Sequence, residues 1–343
     1  MGFESLNDRE KKILKALIDH YINTAEPVAS GMLSRNYDIR LSAASIRNTL
    51  KELEEMGYVA QPHTSAGRVP TAQGYRDYVD NLLTPKQLTQ VEKDYIAQKI
   101  TAEYAEIDHL LSQTSRVLGK LSKQLGVTLT AKFDSAVLTR LELIPVAEKR
   151  LMVVLVIRSG LVKSILFEVQ SDLPDLAINE TAQVLNERLC GLTLGEIKRT
   201  IRDRVTDTNM GDPKLIRLFV EGPGEIWDFP ADERIHFSGT SDLFRQPEFR
   251  NPRDMAEMVQ FIEDRGAVHE LLTSTGGTEG IAISIGYKYE KGGSDRLSFL
   301  STSYDMGGVK GVVGIIGPTR MEYSKLVSLV DYTAGLLSQV FSE

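Results

Sequence analysis

Between residues 42 and 84 the chain changes period twice, from helix to short strands and back to helix, and no other feature narrows its fold as much. Ser42 is a good N-cap for a helix over 43–56, and Gly57 closes that helix. YVAQ (58–61) and GRVP (67–70) then read as two short strands, with the stretch PHTSAGRVP (62–70) carrying the connection and the return strand. Thr71 caps a further helix, AQGYRDYVDNLL, which ends at Thr84-Pro85. Upstream, Asn7 or Asp8 caps a helix with Ile13, Leu14, Leu17, Ile18 and Ile22 at three- and four-residue spacing. AEP at 25–27 stops it, and a short helix follows over roughly 28–35. Three helices, two strands and a terminal helix outline a winged helix-turn-helix domain over residues 1–84.

On a helical wheel the 43–56 helix places Ala43, Ile46, Leu50 and Leu53 on one face, which must pack inward. Ala44, Asn48, Lys51 and Glu55 lie opposite, flanked by Ser45, Arg47 and Glu52. An ordinary amphipathic surface helix has the same polarity. In a helix-turn-helix, however, the start of the second helix meets base edges in the major groove. Asn is suited to adenine and Arg to guanine or phosphate, because each forms paired hydrogen bonds. Glu52, Glu54 and Glu55 would repel phosphate, so the start of the helix faces in and its end faces out. The recognition set is therefore Ala44, Ser45, Arg47, Asn48 and Lys51.

Three readings compete for PHTSAGRVP. Catalysis by Ser65 with His63 needs an orienting group and an oxyanion site, and neither is suggested nearby. A nucleotide phosphate loop needs more glycine than Gly67 alone. A wing accounts for the stretch better: Gly67 allows the turn, while Thr64, Ser65 and Arg68 hold sugar-phosphate oxygens beside His63. Arg76, on the next helix, adds another phosphate contact.

The chain has 343 residues, enough for two or three domains. Its net charge of −7 argues against indiscriminate coating of nucleic acid. Residues 1–83 carry ten Lys/Arg against eleven Asp/Glu, so DNA contact depends on where those charges sit. Cys190 is the only cysteine, which excludes an internal disulfide, and it reads as a buried small hydrophobe near a helix end. LMVVLVI (151–157) is too short to cross a membrane, and MGFESLNDREKK does not read as a secretion signal; a cytoplasmic protein is expected.

From residue 86 to 125 a single long helix is expected. Ile100, Tyr104, Ile107, Leu111, Thr114, Leu118, Leu121 and Leu125 keep a heptad seam that suits either a helix laid across its own domain or an intermolecular coiled coil. The strands AVLTRLELI, RLMVVLVI and VKSILFEV come next, then a helix near 175–189. Residues 191–250 turn charged and rich in Pro and Gly, after which helices and the strands GIAISIG, LSFLSTSY and GVVGIIG resume. Strands on both sides of an unlike segment suggest an α+β domain with an insertion.

SAASIRNTLKELEEMGYVAQPHTSAGRVPTAQGYRDYVDNLL resembles the winged-helix signature of the bacterial heat-inducible transcription repressor HrcA family. IIGPTRMEYSK (315–325) is similar to a second signature of that family. The resemblance implies a winged helix (1–84), a discontinuous GAF-like domain (85–190 and 262–343) and an inserted dimerisation domain (191–261). It also implies a homodimer bound to double-stranded DNA at an inverted-repeat operator, the CIRCE element, ahead of chaperone operons. A GroEL-type chaperonin is implied as the partner that keeps the repressor active until heat diverts it to unfolded clients.

Gly311, Gly314 and Gly317 in GVVGIIGP do not have dinucleotide-loop spacing; glycines in a closely covered strand, with Pro318 and Thr319 starting a helix, explain them better. His20, His63, His109, His236 and His269 show no metal spacing. No convergent catalytic set is visible, so neither an enzyme nor a cofactor is expected, and no membrane partner. The rival reading is a ligand-responsive regulator with an effector in the GAF-like domain.

Overall fold

The computed structural model describes residues 6–341, apart from 64–65, 102–106, 131–132, 159, 161, 170–172, 207–209, 223–225, 228–234, 277–279 and 288–296. Helix α1 (Asp8–Thr24) starts on a capping box in which Asn7 and Glu10 satisfy each other's backbone N–H groups. Ile13, Leu14, Leu17 and Ile18 are buried, and Ala25 ends the helix in the left-handed region at φ 56°. Helix α2 (Ser30–Asn36) begins later than its periodicity suggests, because Val28 forms an antiparallel bridge with Arg68 instead. Helix α3 (Ala43–Glu55) is capped by the Ser42 hydroxyl, and Gly57 follows it at φ 82°. Strands β1 (Val59–Ala60) and β2 (Val69–Pro70) pair as Val59↔Pro70 and Ala60↔Val69. Helix α4 (Ala72–Asp77) is capped by Thr71 and widens into an i→i+5 turn over Tyr78–Leu82.

The expected single helix over 86–125 is two helices, α5 (Gln90–Ile100) and α6 (Ile107–Ser122), packed on each other. Lys123 takes φ 58°, which no α-helix continues, and Leu125 belongs to strand β3 (Leu125–Leu129). Leu110, Leu111, Thr114, Val117 and Leu118 of α6 are buried, and Thr128 of β3 donates to the Leu111 carbonyl at 3.1 Å. The seam thus serves the helix's own domain; Tyr104 lies outside the described residues. At the start of α5 the Lys325 ammonium, 2.7 Å from Glu92, and the Thr89 backbone and hydroxyl draw the Glu92 carboxyl down to about 2. A depressed carboxyl adds stability above the ordinary carboxylate range and loses it as pH falls toward 2. Glu92→Gln should therefore lower the melting temperature at pH 7 and converge with the parent near pH 2, as followed by circular dichroism.

The described residues divide into two compact units. One holds 129–235, 303–312 and 334–343; the other holds 1–128, 236–302 and 313–333. The first contains an antiparallel meander of β4 (Leu138–Ala147), β5 (Arg150–Ile157) and β6 (Val162–Glu168), in order β4-β5-β6. Leu141, Leu143, Leu151, Val153, Leu155 and Ile157 alternate onto its buried face. Helix α7 (Asp175–Leu189) packs on β4, where the Asn186 amide exchanges hydrogen bonds with the backbone of Leu141 at 2.7 and 2.9 Å. Helices α8 (Leu194–Val205) and α9 (Pro213–Glu221) follow, and the buried Trp227 donates its indole N–H to the Phe219 carbonyl. Cys190 is half-buried at the end of α7 rather than fully enclosed.

No boundary falls at residue 191. Leu138 N–H donates to Leu192, Gly191 N–H to Leu138 and Leu194 N–H to Ala136, stitching the segment onto the start of β4. Residues 236–261 belong to the other unit.

That other unit continues with α10 (Thr240–Leu243), α11 (Pro252–Glu263), α12 (Arg265–Gly276) and β8 (Ala282–Tyr287), together with most of β7 (Ile235–Ser238), β9 (Leu297–Asp305) and β10 (Lys310–Pro318), whose residues 235, 303–305 and 310–312 fall in the first unit. Its sheet runs β7-β3-β10-β9-β8, which leaves β8 at an edge. A Cβ on Gly314 would press on the Leu300 carbonyl oxygen and one on Gly317 on the Gln124 amide, so β10 is closely covered. Helix α13 (Tyr323–Val340) starts four residues after Thr319. The fold is α+β, and no helix of the described residues is long and apolar enough to cross a membrane.

Candidate nucleic-acid interface

Helix α3 buries Ile46, Thr49, Leu50 and Leu53. Thr49, with its hydroxyl directed at the Ser45 carbonyl, completes the inward face, whereas Ala43 is exposed, contrary to its place on the wheel. The reason is geometric: Ala43 is the first helical residue, beyond the reach of the neighbouring helices. Ala44, Arg47, Asn48 and Lys51 are all exposed. Among the described residues neither Arg47 nor Asn48 has a side-chain hydrogen bond or ion pair, so both are available to an external ligand. Lys51 pairs loosely with Glu55 at 3.5 Å, an exposed i,i+4 contact of little energy.

Ser45 is half-buried and already engaged: Arg9 on α1 donates to its carbonyl at 2.9 Å and to its hydroxyl at 3.1 Å. Arg9 therefore braces the first turn of α3, a role hidden in the sequence because the two residues lie 36 positions apart. Arg40, two residues before the cap, is an exposed cation at the same end of the helix, held only by an exposed contact with Asp38 at 3.2 Å, and the helix dipole there also favours an anion.

The hairpin differs from expectation in three places. His63 is exposed and accepts the Ala66 N–H in the tip turn, while Thr64 and Ser65 lie outside the described residues. Gly67 does not serve the turn: a Cβ there would overlap the Val28 backbone, so glycine is needed for close approach. Arg68, its side chain only 18% exposed, forms an ion pair with Glu54 at 2.8 Å and exchanges backbone hydrogen bonds with Val28. Its guanidinium knits the hairpin to α3 and is not displayed toward a phosphate. Arg76 is likewise engaged within the protein and donates Nε and Nη2 to the Ile285 carbonyl of β8, at 3.2 and 3.0 Å. The expected constellation thus narrows to the outer face of α3, with His63 exposed on the hairpin.

A family model described as the HrcA protein C-terminal domain matches residues 108–327. The heat-inducible transcription repressor HrcA of Chlorobium chlorochromatii (strain CaD3) is 40% identical, the match covering 100% of this chain and 99% of the relative. That of Halalkalibacterium halodurans is 31% identical, covering 98% of each. A 2.2 Å crystal structure of a protein described as hypothetical superposes with a TM-score of 0.62 at 23% identity, over 98% of this chain and 99% of that one, which supports the fold. With relatives this similar along the whole length and a family model across most of it, the chain belongs to the HrcA family of heat-inducible transcription repressors.

Proposed function

We propose that the chain represses transcription by binding an inverted-repeat operator, the CIRCE element ahead of chaperone operons, through α3. In this reading residues 1–84 are a winged helix, α3 is its recognition helix and the β1–β2 hairpin its wing. The observation that carries it is the exposed Ala44–Arg47–Asn48–Lys51 face, whose Arg47 and Asn48 have no side-chain partner among the described residues. Arg47 suits guanine or phosphate and Asn48 suits adenine. Arg40 and the His63 tip would flank the backbone.

A palindrome is read naturally by a two-fold dimer, with one recognition helix per half-site. We place the dimer contact on the outward face of the β4-β5-β6 sheet, not in 191–261 alone. Ile144, Met152 and Leu166 line up across the three strands, as do Val156 and Val162 across β5 and β6. Val162 is 60% and Leu166 54% exposed, an apolar face a soluble monomer would seldom leave open. Leu166→Glu would bury a carboxylate in each half of a two-fold contact, and should weaken the dimer by about 100-fold or more. Light scattering across a dilution series checks this, and a dimer that survives intact rules out this face.

The sheet of β3 and β7–β10, with α5 and α6, is proposed as the GAF-like module. Regulation would run through a GroEL-type chaperonin in the cytoplasm: heat diverts the chaperonin to unfolded clients, and repression lapses. A reconstituted transcription assay tests this. Chaperonin should restore repression to heat-treated protein, and excess unfolded client should cancel that effect; repression indifferent to both would refute the loop.

A further inference from the structure

Within its compact unit, the N-terminal head (6–83) meets the rest through two arginines that reach in opposite directions. Arg320, between β10 and α13, has a side chain only 12% exposed. Its Nε and Nη2 donate to the two oxygens of Glu248 at 2.6 and 3.2 Å, and Nη2 also donates to Gln246 Oε1 at 3.0 Å. Its Nη1 donates to the Ile22 carbonyl at 2.7 Å. Ile22 lies in the last turn of α1, where carbonyls have no partner within the helix. Arg320 therefore caps α1 from 298 positions away. Gln246 is itself held, donating to the Lys123 carbonyl at 3.2 Å. From the other side, Arg76 on α4 grips the Ile285 carbonyl of the edge strand β8. Between the two arginines the Tyr75 and Tyr323 rings lie 6.1 Å apart, and Lys86 N–H donates to the Ser324 carbonyl.

The planar guanidinium matters here, because its fixed fork holds both oxygens of a carboxylate and a helix carbonyl in one rigid geometry, whereas an ammonium would meet them as a freely rotating point charge. A buried ion pair contributes little net stability, yet it penalises every arrangement that leaves either charge unpaired. Such a joint favours one angle over a range of angles.

We infer that Arg320 and Arg76 are positioning residues that hold the outer face of α3 at a fixed angle to the rest of their compact unit, so that the two heads of a dimer fit one half-site spacing. This rests on the DNA-binding reading proposed above, and the test separates the two. Full-length protein carrying Arg320→Gln, Arg76→Gln or both is titrated against three duplexes: a single half-site, the inverted repeat, and the repeat with its spacer lengthened by two base pairs. In parallel, tryptic cleavage at the exposed Lys86 is timed. The variants should keep half-site affinity within about twofold while losing about tenfold or more on the intact repeat, with discrimination against the lengthened spacer reduced and Lys86 cut faster. Arg320→Lys should fall between the parent and Arg320→Gln. Equal losses on half-site and repeat, or no loss on either, would overturn the inference. If the parent binds no duplex, the DNA reading has failed and tryptic cleavage alone decides: acceleration supports the clamp and an unchanged rate overturns it. Should Arg320→Gln not fold, Gln246→Ala removes one acceptor only and carries the same comparison.

Discussion

Asn48→Ala should cost a dimer about 2–6 kcal/mol of affinity for its operator, on the order of thirty- to ten-thousand-fold, and almost nothing on random duplex. One well-placed paired contact to a base is worth about 1–3 kcal/mol of discrimination, and a two-fold dimer loses it at both half-sites. The side chain is exposed and has no hydrogen bond among the described residues, so its removal leaves no buried group unsatisfied. The melting temperature should stay within a degree or two of the parent, which keeps the affinity loss attributable to the contact. Competition titration with operator and random duplex at fixed salt provides the comparison. Equal losses on both would assign Asn48 to the phosphate backbone, where contacts carry no sequence information.

Gly67→Ala should produce the second large effect, and on stability first. The added Cβ would overlap the carbonyl group and nitrogen of Val28. Relief requires the hairpin to back away from the α1–α2 connection, stretching the paired hydrogen bonds of Val28 and Arg68 at 2.8 and 2.9 Å. Overpacking of this kind costs about 1–3 kcal/mol, and each weakened backbone hydrogen bond adds about 1 kcal/mol. The Arg68–Glu54 pair, which depends on that docking, would loosen with it. A loss of about 3–5 kcal/mol is the expected sum, with DNA binding falling because the hairpin and α3 shift together. Denaturant unfolding together with amide exchange at Val28 and Arg68 measures it. An unchanged midpoint would mean that the hairpin does not need its contact with Val28.

The two positions also show what a single chain reveals of its own fold. Caps were legible because their chemistry is local: Asn7 with Glu10, Ser42 and Thr71 all accept the backbone N–H groups their spacing suggests. The β4, β5 and β6 strands were legible as short runs rich in Leu, Val and Ile, AVLTRLELI, RLMVVLVI and VKSILFEV, and the structure places strands on all three. The heptad seam misled, because Leu118, Leu121 and Leu125 keep their spacing across a reversal at Lys123 into a strand buried on both faces. Periodicity cannot mark that point.

Within the site, the outer face of α3 was readable from helical geometry, but the fate of each cation was not. Arg68 pairs with Glu54 and Arg76 with the Ile285 carbonyl, partners that lie 14 and 209 positions away. From sequence, a cation that binds phosphate and one that knits the protein together look alike. Only tertiary contacts separate them. By the same logic, removing Arg68 acts on the joint between hairpin and helix, leaving the charge presented to DNA largely as it was.

Hydroxyl-radical footprinting of the full-length protein on a chaperone-operon inverted repeat tests most directly that α3 reads one half-site per subunit. The expected pattern is two-fold symmetric protection centred on the two half-sites, lost when the repeat is scrambled and lost in Asn48→Ala at the same protein concentration. Protection confined to one side, or protection that persists on the scrambled duplex, would contradict it.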